Sequence, residues 1–352
     1  MRNKVFSMFV VLLACFAQAA TAQPFADSAQ IPVTPSDEQF RQIEPARVQL
    51  RHILLPLQRS GPSVLAVQIL LDRARFSPGV LDGHWGKNTT KALFWFQKSR
   101  DLPATGKLDR PTLEQLAIAA RPPSGGVLVQ PYVTSAEDAA ARFKPLPADI
   151  YERANLSWLG YESALEALSE HFHSTPAVLR QLNPQVSFHN IRPGTRIFAP
   201  AVGWENAQAP RDVKQIVVSA RGFYTQGLDA QGHILFHYPS TLGSEYDPLP
   251  LGNWKAERIA FKPKFHYQPK LFHDVQDSDP EAMLPPGPNS PVGLVWIALS
   301  KPHYGIHGTS APQSIGYTSS HGCVRLTNWD AWELARHVAP GTPVVFTGGA
   351  VD

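Results

Sequence analysis

From about Val213 to its end the chain reads as short runs of β-branched and aromatic residues separated by turn residues. Gln215-Ile216-Val217-Val218, Ile234-Leu235-Phe236-His237-Tyr238, Val295-Trp296-Ile297-Ala298-Leu299 and Val344-Val345-Phe346 are each too short for a helix and rich in side chains that fill a pleated surface. This pattern restricts the region to sheet built from short strands. One helix interrupts it, over Trp329 to Val338, where Thr327 and Asp330 form a start of the capping-box kind. The 33 prolines of the 352-residue chain press the same way, because proline donates no amide hydrogen and breaks helix interiors. No fixed-period repeat and no Cys-x-x-Cys pair intrudes.

Upstream the period changes. Leu50, Ile53, Leu54 and Leu57 make one helical stripe, and Val64, Val67, Gln68, Leu70 and Leu71 begin another. Asp82-Gly83 is a turn signal, followed by Gly86. Ala92, Leu93, Trp95 and Phe96 then fall at helical spacing, and Asp109-Arg110-Pro111 opens a helix carrying Leu113 and Leu116. The next stretch, with Arg121-Pro122-Pro123-Ser124-Gly125-Gly126 and Lys144-Pro145-Leu146-Pro147, has linker composition. Ser163 to Phe172 and Thr175 to Leu182 read as two helices, Asn183-Pro184 ends the second, and Ile191 to Pro200 reads as a turn and a short strand. The length fits two or three domains, so the fold class is multidomain α+β, with helices first and a mostly-β unit last.

Residues 1–22 carry Arg2 and Lys4, the apolar run Val5 to Ala17, and Ala20-Thr21-Ala22 before Gln23, the layout of a secretory signal peptide. The apolar run is short of the ~20 residues that span a bilayer, so no stable membrane insertion is expected. An uncleaved anchor and, from Leu12-Leu13-Ala14-Cys15, a lipoprotein-type cleavage are the competing readings. Residues 23–48 read as a flexible spacer. Export to the periplasm or cell envelope is therefore expected. Cleavage after Ala22 removes Cys15 and leaves Cys323 as the sole thiol, which has no internal disulfide partner and is either an inert buried group or a reactive one. A formal net charge of +3 without a Lys/Arg block excludes nucleic acid as a partner, and 43% apolar residues with 17% charged ones point to packed cores.

The neighbours of Cys323 favour reactivity. A thiol has an unperturbed pKa of ~8.5 and only the thiolate attacks carbonyls well, so a base is needed. His321 and His307 both precede Cys323 closely. Gly322 permits a tight turn that can aim the N–H groups of Gly322 and Cys323 at a developing oxyanion. His303, His307, His321 and Cys323 together also have the ligand types of a zinc site. On a strand, however, residues four apart are ~13 Å apart, so no metal or other cofactor is expected.

His307-Gly308-Thr309, followed after a spacer by Ser320-His321-Gly322-Cys323-Val324-Arg325, resembles the active-site signature of the L,D-transpeptidases, enzymes that cross-link or remodel peptidoglycan. Pro285-Pro286-Gly287-Pro288-Asn289-Ser290-Pro291-Val292-Gly293 resembles that family's proline-rich approach to the catalytic strand. The likeness covers 210–348. Val80 to Gly86, Ala92 to Gln97 and Leu102 to Gly106 resemble the small helical peptidoglycan-binding domain, over 49–119. Residues 158–202 resemble a lysin motif, a β-α-α-β glycan-binding module, although Gly160-Tyr161-Glu162-Ser163-Ala164 stands where that family has Gly-Asp-Thr. The linker is then 120–157.

What the resemblance implies is specific. Cys323 would be the nucleophile and His307 the base, the carbonyl of Gly308 fixing its tautomer, in curled mixed sheets. His321 either assists the thiolate, holds substrate or braces the loop. Arg325 suits a substrate carboxylate, or else a structural ion pair or carbonyl clamp, and Ser320 is a further substrate-binding candidate. The implied reaction passes through a thioester on a stem tetrapeptide with release of D-alanine. A hydrolase of the same family and a non-catalytic wall-binding protein are the alternatives. The implied partners are peptidoglycan, both stem peptide and glycan, and as a further candidate a wall-attached lipoprotein.

Overall fold

The computed structural model of the protein describes residues 42–53, 55, 57–122, 126–203, 211–244, 247–272 and 275–348. The expected leader at 1–22, Cys15, most of the spacer and Leu54 lie outside them. At the spacer's end Ile43 and Val48 are buried, and the Ile43 N–H donates to the Gln181 carbonyl at 3.0 Å.

Three helices come first: α1 (Pro62–Arg73), α2 (Lys87–Ser99) and α3 (Arg110–Ala120). The stripe from Leu50 to Leu57 does not form the α-helix its period predicts. Its described part holds a 3-10 turn over Leu50–His52, capped by Ile53 in extended conformation. α3 starts where expected, the Asp109 carboxylate accepting the Thr112 N–H at 2.8 Å. The 82–84 turn hangs on one buried amide. Gln68 Oε1 accepts the N–H groups of Asp82 and Gly83 at 3.2 and 2.8 Å, and its Nε2 donates to the His84 carbonyl at 3.0 Å.

A β-α-α-β unit follows. β1 (Val129–Val133) pairs antiparallel with β2 (Arg196–Pro200), from Val129↔Pro200 to Val133↔Arg196. Between them run a short helix α4 (Ile150–Ala154) and then the helix pair of the unit, α5 (Ala164–His171) and α6 (Pro176–Leu182), capped by Ser163 and Thr175. The first strand thus comes from inside the stretch whose composition reads as a linker. Pro131 hides it in the sequence, yet a two-stranded sheet leaves one side of each strand free and tolerates a missing donor; burial of Leu128 and Val129 supplies the anchoring.

The C-terminal region consists of β3 (Gln215–Ser219), β4 (Tyr224–Leu228), β5 (Ile234–Pro239), β6 (Leu242–Gly243), β7 (Gly252–Phe261), β8 (Phe265–Tyr267), β9 (Ala282–Leu284), β10 (Val295–Leu299), β11 (Gly305–His307), β12 (Ser319–Ser320), β13 (Val324–Arg325), α7 (Asn328–His337) and β14 (Pro343–Thr347). Eight strands form one mixed sheet in the order β13-β11-β10-β7-β14-β3-β4-β5. β11–β13 and β14–β3 are parallel pairs within an otherwise antiparallel sheet. β12–β6 and β8–β9 are separate small pairs. α7 begins at its expected cap, the Asp330 N–H donating to Thr327 Oγ1 at 3.1 Å. It packs on a core that includes Ile216, Val218, Phe236, Ile297, Ile306, Val324 and Leu334.

The helical units are docked on this sheet through backbone as well as side chains. The Ser77 N–H donates to the His237 carbonyl at 2.8 Å, and the His237 N–H returns a bond to Arg75 at 2.9 Å. Leu159 likewise bonds Pro286 and Asn289, at 2.8 and 3.0 Å. The rings of His173 and Trp329 stack 4.8 Å apart.

Glu170 of α5 is buried at this junction, accepting from Asn328 Nδ2 at 3.1 Å and from the Tyr161 hydroxyl at 3.2 Å. Burial pushes its pKa up to about 8 against those bonds, so at pH 7 the folded protein holds a proton there that the unfolded chain releases. Stability is therefore lost as pH rises from the unfolded value near 4.5 through about 8. Glu170→Gln should stabilise the protein over that window, its advantage growing by roughly 1.4 kcal/mol per pH unit and vanishing below it. Urea unfolding at both ends of the window measures this; a difference independent of pH contradicts it.

Candidate active site

Cys323 and His307 come together through the parallel pairing of β11 and β13, in which Ile306 faces Val324 and His307 faces Arg325. Alternation along a strand sends Ile306 and Val324, both fully buried, into the core. It leaves Gly305, His307, Cys323 and Arg325 on the opposite face. Cys323, immediately before β13, therefore lies on the same face as His307 and diagonally across from it. The expected strand around the upstream histidine is shorter than it reads, because His303 has a left-handed φ of 67° and belongs to the preceding turn. Among the described residues no three His, Cys, Asp or Glu side chains are grouped to hold a metal ion.

The loop before Cys323 is shaped by specific contacts. The Ser320 hydroxyl donates to the Cys323 carbonyl at 2.6 Å, closing the turn across His321 and Gly322. Ser320, a substrate-binding candidate, has its hydroxyl engaged in closing this loop. Gly322 has φ 92°, and a Cβ there would stand 3.0 Å from the Tyr304 ring, so both backbone conformation and close approach require glycine. His321 lies edge-on to Phe272, ring centres 5.2 Å apart. Arg325 exchanges backbone hydrogen bonds with Thr241, at 2.9 and 3.0 Å, which fixes the strand that follows the cysteine.

His307 is held by its chain neighbour. Its Nδ1 donates to the Gly308 carbonyl at 2.7 Å, so the neutral ring carries its proton there and presents Nε2 as an acceptor. Trp296 stacks on the ring at 5.3 Å. Asn328 closes the other side: its Oδ1 accepts the Leu294 N–H at 3.0 Å and would collide with any side chain at Gly308.

Burial sets the proton state of both groups. It pushes the Cys323 thiol up to about 11, against the opposing pull of a Gly305 backbone hydrogen bond and the Arg325 charge. It lowers His307 to about 3, helped by Arg325 and resisted by the Gly308 carbonyl. The resting pair is thus a neutral thiol and a neutral imidazole. Cys323 keeps partial access to solvent, and its Sγ donates weakly to the His303 carbonyl at 3.6 Å. Such a pair can pass a proton from sulfur to nitrogen as a bond forms at sulfur.

Sequence reasoning did not find Trp296, Tyr304, Thr241, Asn328 or Glu170. For Trp296 and Tyr304 the only available signal was nearness in sequence to His307. The others come from segments with no local mark of a site.

The segment that carries this geometry resembles known proteins. The model of the L,D-transpeptidase catalytic domain matches 214–346, and that of a peptidoglycan binding domain matches 60–116. YkuD of Bacillus licheniformis, named as an L,D-transpeptidase, is 30% identical over 184 residues, 52% of this chain and 93% of its own. A Fuscovulum blasticum protein, named as an L,D-transpeptidase, is 44% identical over 171 residues, 49% of this chain and 86% of its own. Among solved structures, the L,D-transpeptidase of Xylanimonas cellulosilytica covers 82% of this chain and 95% of its own at 15% identity, a loose likeness with a TM-score of 0.33. Matched over nearly the whole length of the Bacillus protein, this chain belongs to the L,D-transpeptidase family.

Proposed function

We propose that the protein is a peptidoglycan L,D-transpeptidase in which Cys323 is the nucleophile and His307 the base. What supports this reading is the β11–β13 register, with His307 opposite Arg325 and Cys323 just before β13, together with a His307 ring whose Nδ1 is already committed to Gly308. The thiol proton moves to His307 Nε2 as Sγ bonds to the carbonyl carbon of the diamino acid in a stem tetrapeptide. The oxygen of that carbonyl gains negative charge, and the N–H groups of Gly322 and Cys323 are the candidates to receive it. Collapse breaks the bond to D-alanine, whose amine takes the proton from His307 and leaves a thioester. An amine of a second stem attacks the thioester, His307 accepts its proton, and the thiolate leaves and is reprotonated. Neither metal nor nucleotide enters the balance.

Arg325, close enough to depress both pKa values, favours thiolate over thiol and imidazole over imidazolium. It therefore assists ionisation of the sulfur and hastens return of the proton from His307 to the leaving amine. His321 stands in the loop between Ser320 and Cys323, where it can meet substrate. The helical domain at 60–116 and the β-α-α-β unit would hold the enzyme on its polymer and raise effective concentration. Among the described residues no helix is long and apolar enough to cross a membrane. Export through the segment 1–22 would place the enzyme in the periplasm or envelope, where its polymer is.

Incubation with disaccharide-tetrapeptides tests the reading. Released D-alanine together with cross-linked dimers is expected. Tripeptide with no dimer identifies water as the acceptor and makes the enzyme a hydrolase, and a product joined to a protein amine identifies a lipoprotein-type acceptor. Retention on wall material without D-alanine release would leave a binding protein and defeat the proposal.

A further inference from the structure

Asn88 lies in the first turn of α2, within the domain matched to peptidoglycan binding, yet its side chain is 5% exposed and contacts the C-terminal region. Its Nδ2 donates to the Ile315 carbonyl at 2.9 Å. The next residue, Gly316, has φ 81° and lies directly on the Asn88 amide, since a Cβ there would come 2.5 Å from Oδ1. Oδ1 finds no donor among the described residues, and Gly316 packs against it. Beside it, Lys87 Nζ sits 4.4 Å from the Tyr317 ring centre. A side chain at Gly86 would meet the Tyr317 hydroxyl.

The same backbone is held from its inner side by Thr241, which is fully buried. Thr241 Oγ1 accepts the Gly316 N–H at 3.0 Å and donates to the Ser314 carbonyl at 3.2 Å. Its own backbone exchanges hydrogen bonds with Arg325, two residues after Cys323. The residues after it, Leu242–Gly243, pair with Ser319–Ser320, just before Cys323. Segment 314–316 is therefore gripped between an amide of the helical domain and a hydroxyl whose backbone borders the cysteine on both sides. Removing the outer grip frees the segment to move away from Thr241. A displacement of about 1 Å at a reacting group can cost roughly a hundredfold in rate.

We infer that Asn88 is a positioning residue for Cys323, so that the helical domain sets where the thiol sits in addition to tethering the enzyme. The inference rests on Cys323 being the nucleophile. It separates cleanly from tethering: loss of a tether weakens capture of polymer, whereas loss of positioning slows the chemical step on a soluble substrate.

The test uses the full chain carrying Asn88→Ala or Asn88→Asp, the latter setting a carboxylate against the Ile315 carbonyl. Thermal melting reports folding, and retention on isolated cell-wall sacculi reports wall binding. D-alanine release from a soluble disaccharide-tetrapeptide gives kcat and KM, and alkylation of Cys323 by iodoacetamide across pH reports the thiol's setting without turnover. Both variants should lose about tenfold or more in kcat, Asp the more, with KM and wall retention unchanged and the alkylation profile displaced. A folded N88A with wild-type kcat and alkylation profile overturns the inference, as does a raised KM at unchanged kcat. Should N88A fail to fold, Thr241→Val, which removes the inner grip, must reproduce the lowered kcat and displaced profile; a wild-type result there overturns it equally. If the wild-type enzyme releases no D-alanine, the transpeptidase reading fails, and the alkylation profiles alone decide the positioning.

Discussion

Cys323→Ala is expected to lower D-alanine release from a disaccharide-tetrapeptide by at least about a thousandfold while leaving the fold and wall retention intact. The size follows from what is removed: a covalent route disappears entirely, and what survives is the oxyanion-binding backbone and substrate orientation, which by themselves retain a small part of the rate enhancement. The variant is well suited to the measurement, because the Cys323 side chain is partly exposed and the loop around it is closed by backbone and by Ser320 rather than by the sulfur. Release that continues undiminished in the alanine variant, in a preparation with a native melting transition, would remove Cys323 from the chemistry.

His307→Gln should cost about 10²–10⁴ in rate near neutrality, the usual worth of a positioned general base. Its pH dependence is the more telling part. With the resting thiol near 11, a variant without the base depends on spontaneous ionisation of Cys323. Its rate should then climb roughly tenfold per pH unit toward that value and close much of the gap to wild type. The wild-type kcat/KM should instead be level through the neutral range. His307 is already deprotonated there, its pKa being near 3, so no inflection near an ordinary histidine's 6.5 is expected. Activity is lost on acidification as His307 gains its proton. A deficit in the variant that stays constant from pH 6 to 10 contradicts the base role.

Much of this site was legible in the sequence, for a physical reason. Cys323, His307 and their glycines are close in the chain, and each needs a particular residue type: an ionisable sulfur, an imidazole, a backbone able to hold φ 92°. The tautomer-fixing bond from His307 to the carbonyl of Gly308 is a contact between chain neighbours, so it too could be anticipated. The same holds for helix starts at Asp109, Ser163, Thr175 and Thr327, whose caps are interactions over three residues.

What escaped was long-range or disguised. Asn88 meets Ile315 over 227 residues of sequence and Asn328 meets Glu170 over 158, with nothing local to mark either as buried. The stretch holding Glu170 reads only as a helix, since the Asn328 amide that meets it belongs to a helix far downstream. The strand Val129–Val133 was hidden by Pro131 and by the proline-rich runs on either side, although its pairing with Arg196–Pro200 needs only an edge. The stripe from Leu50 to Leu57 erred the other way, apolar spacing suggesting an α-helix where the described residues hold a single 3-10 turn. Local chemistry marked the candidate groups, whereas the supports behind them depend on how the modules dock.

The most direct test of the account is to mix the enzyme with disaccharide-tetrapeptide in the absence of an acceptor amine, quench within the first turnover, and weigh the intact protein and its peptides. The account predicts an adduct of substrate minus D-alanine on the peptide containing Cys323, discharged when an acceptor stem is added. Steady release of D-alanine with an unmodified Cys323 at every quench time, or the adduct on another residue, would contradict it.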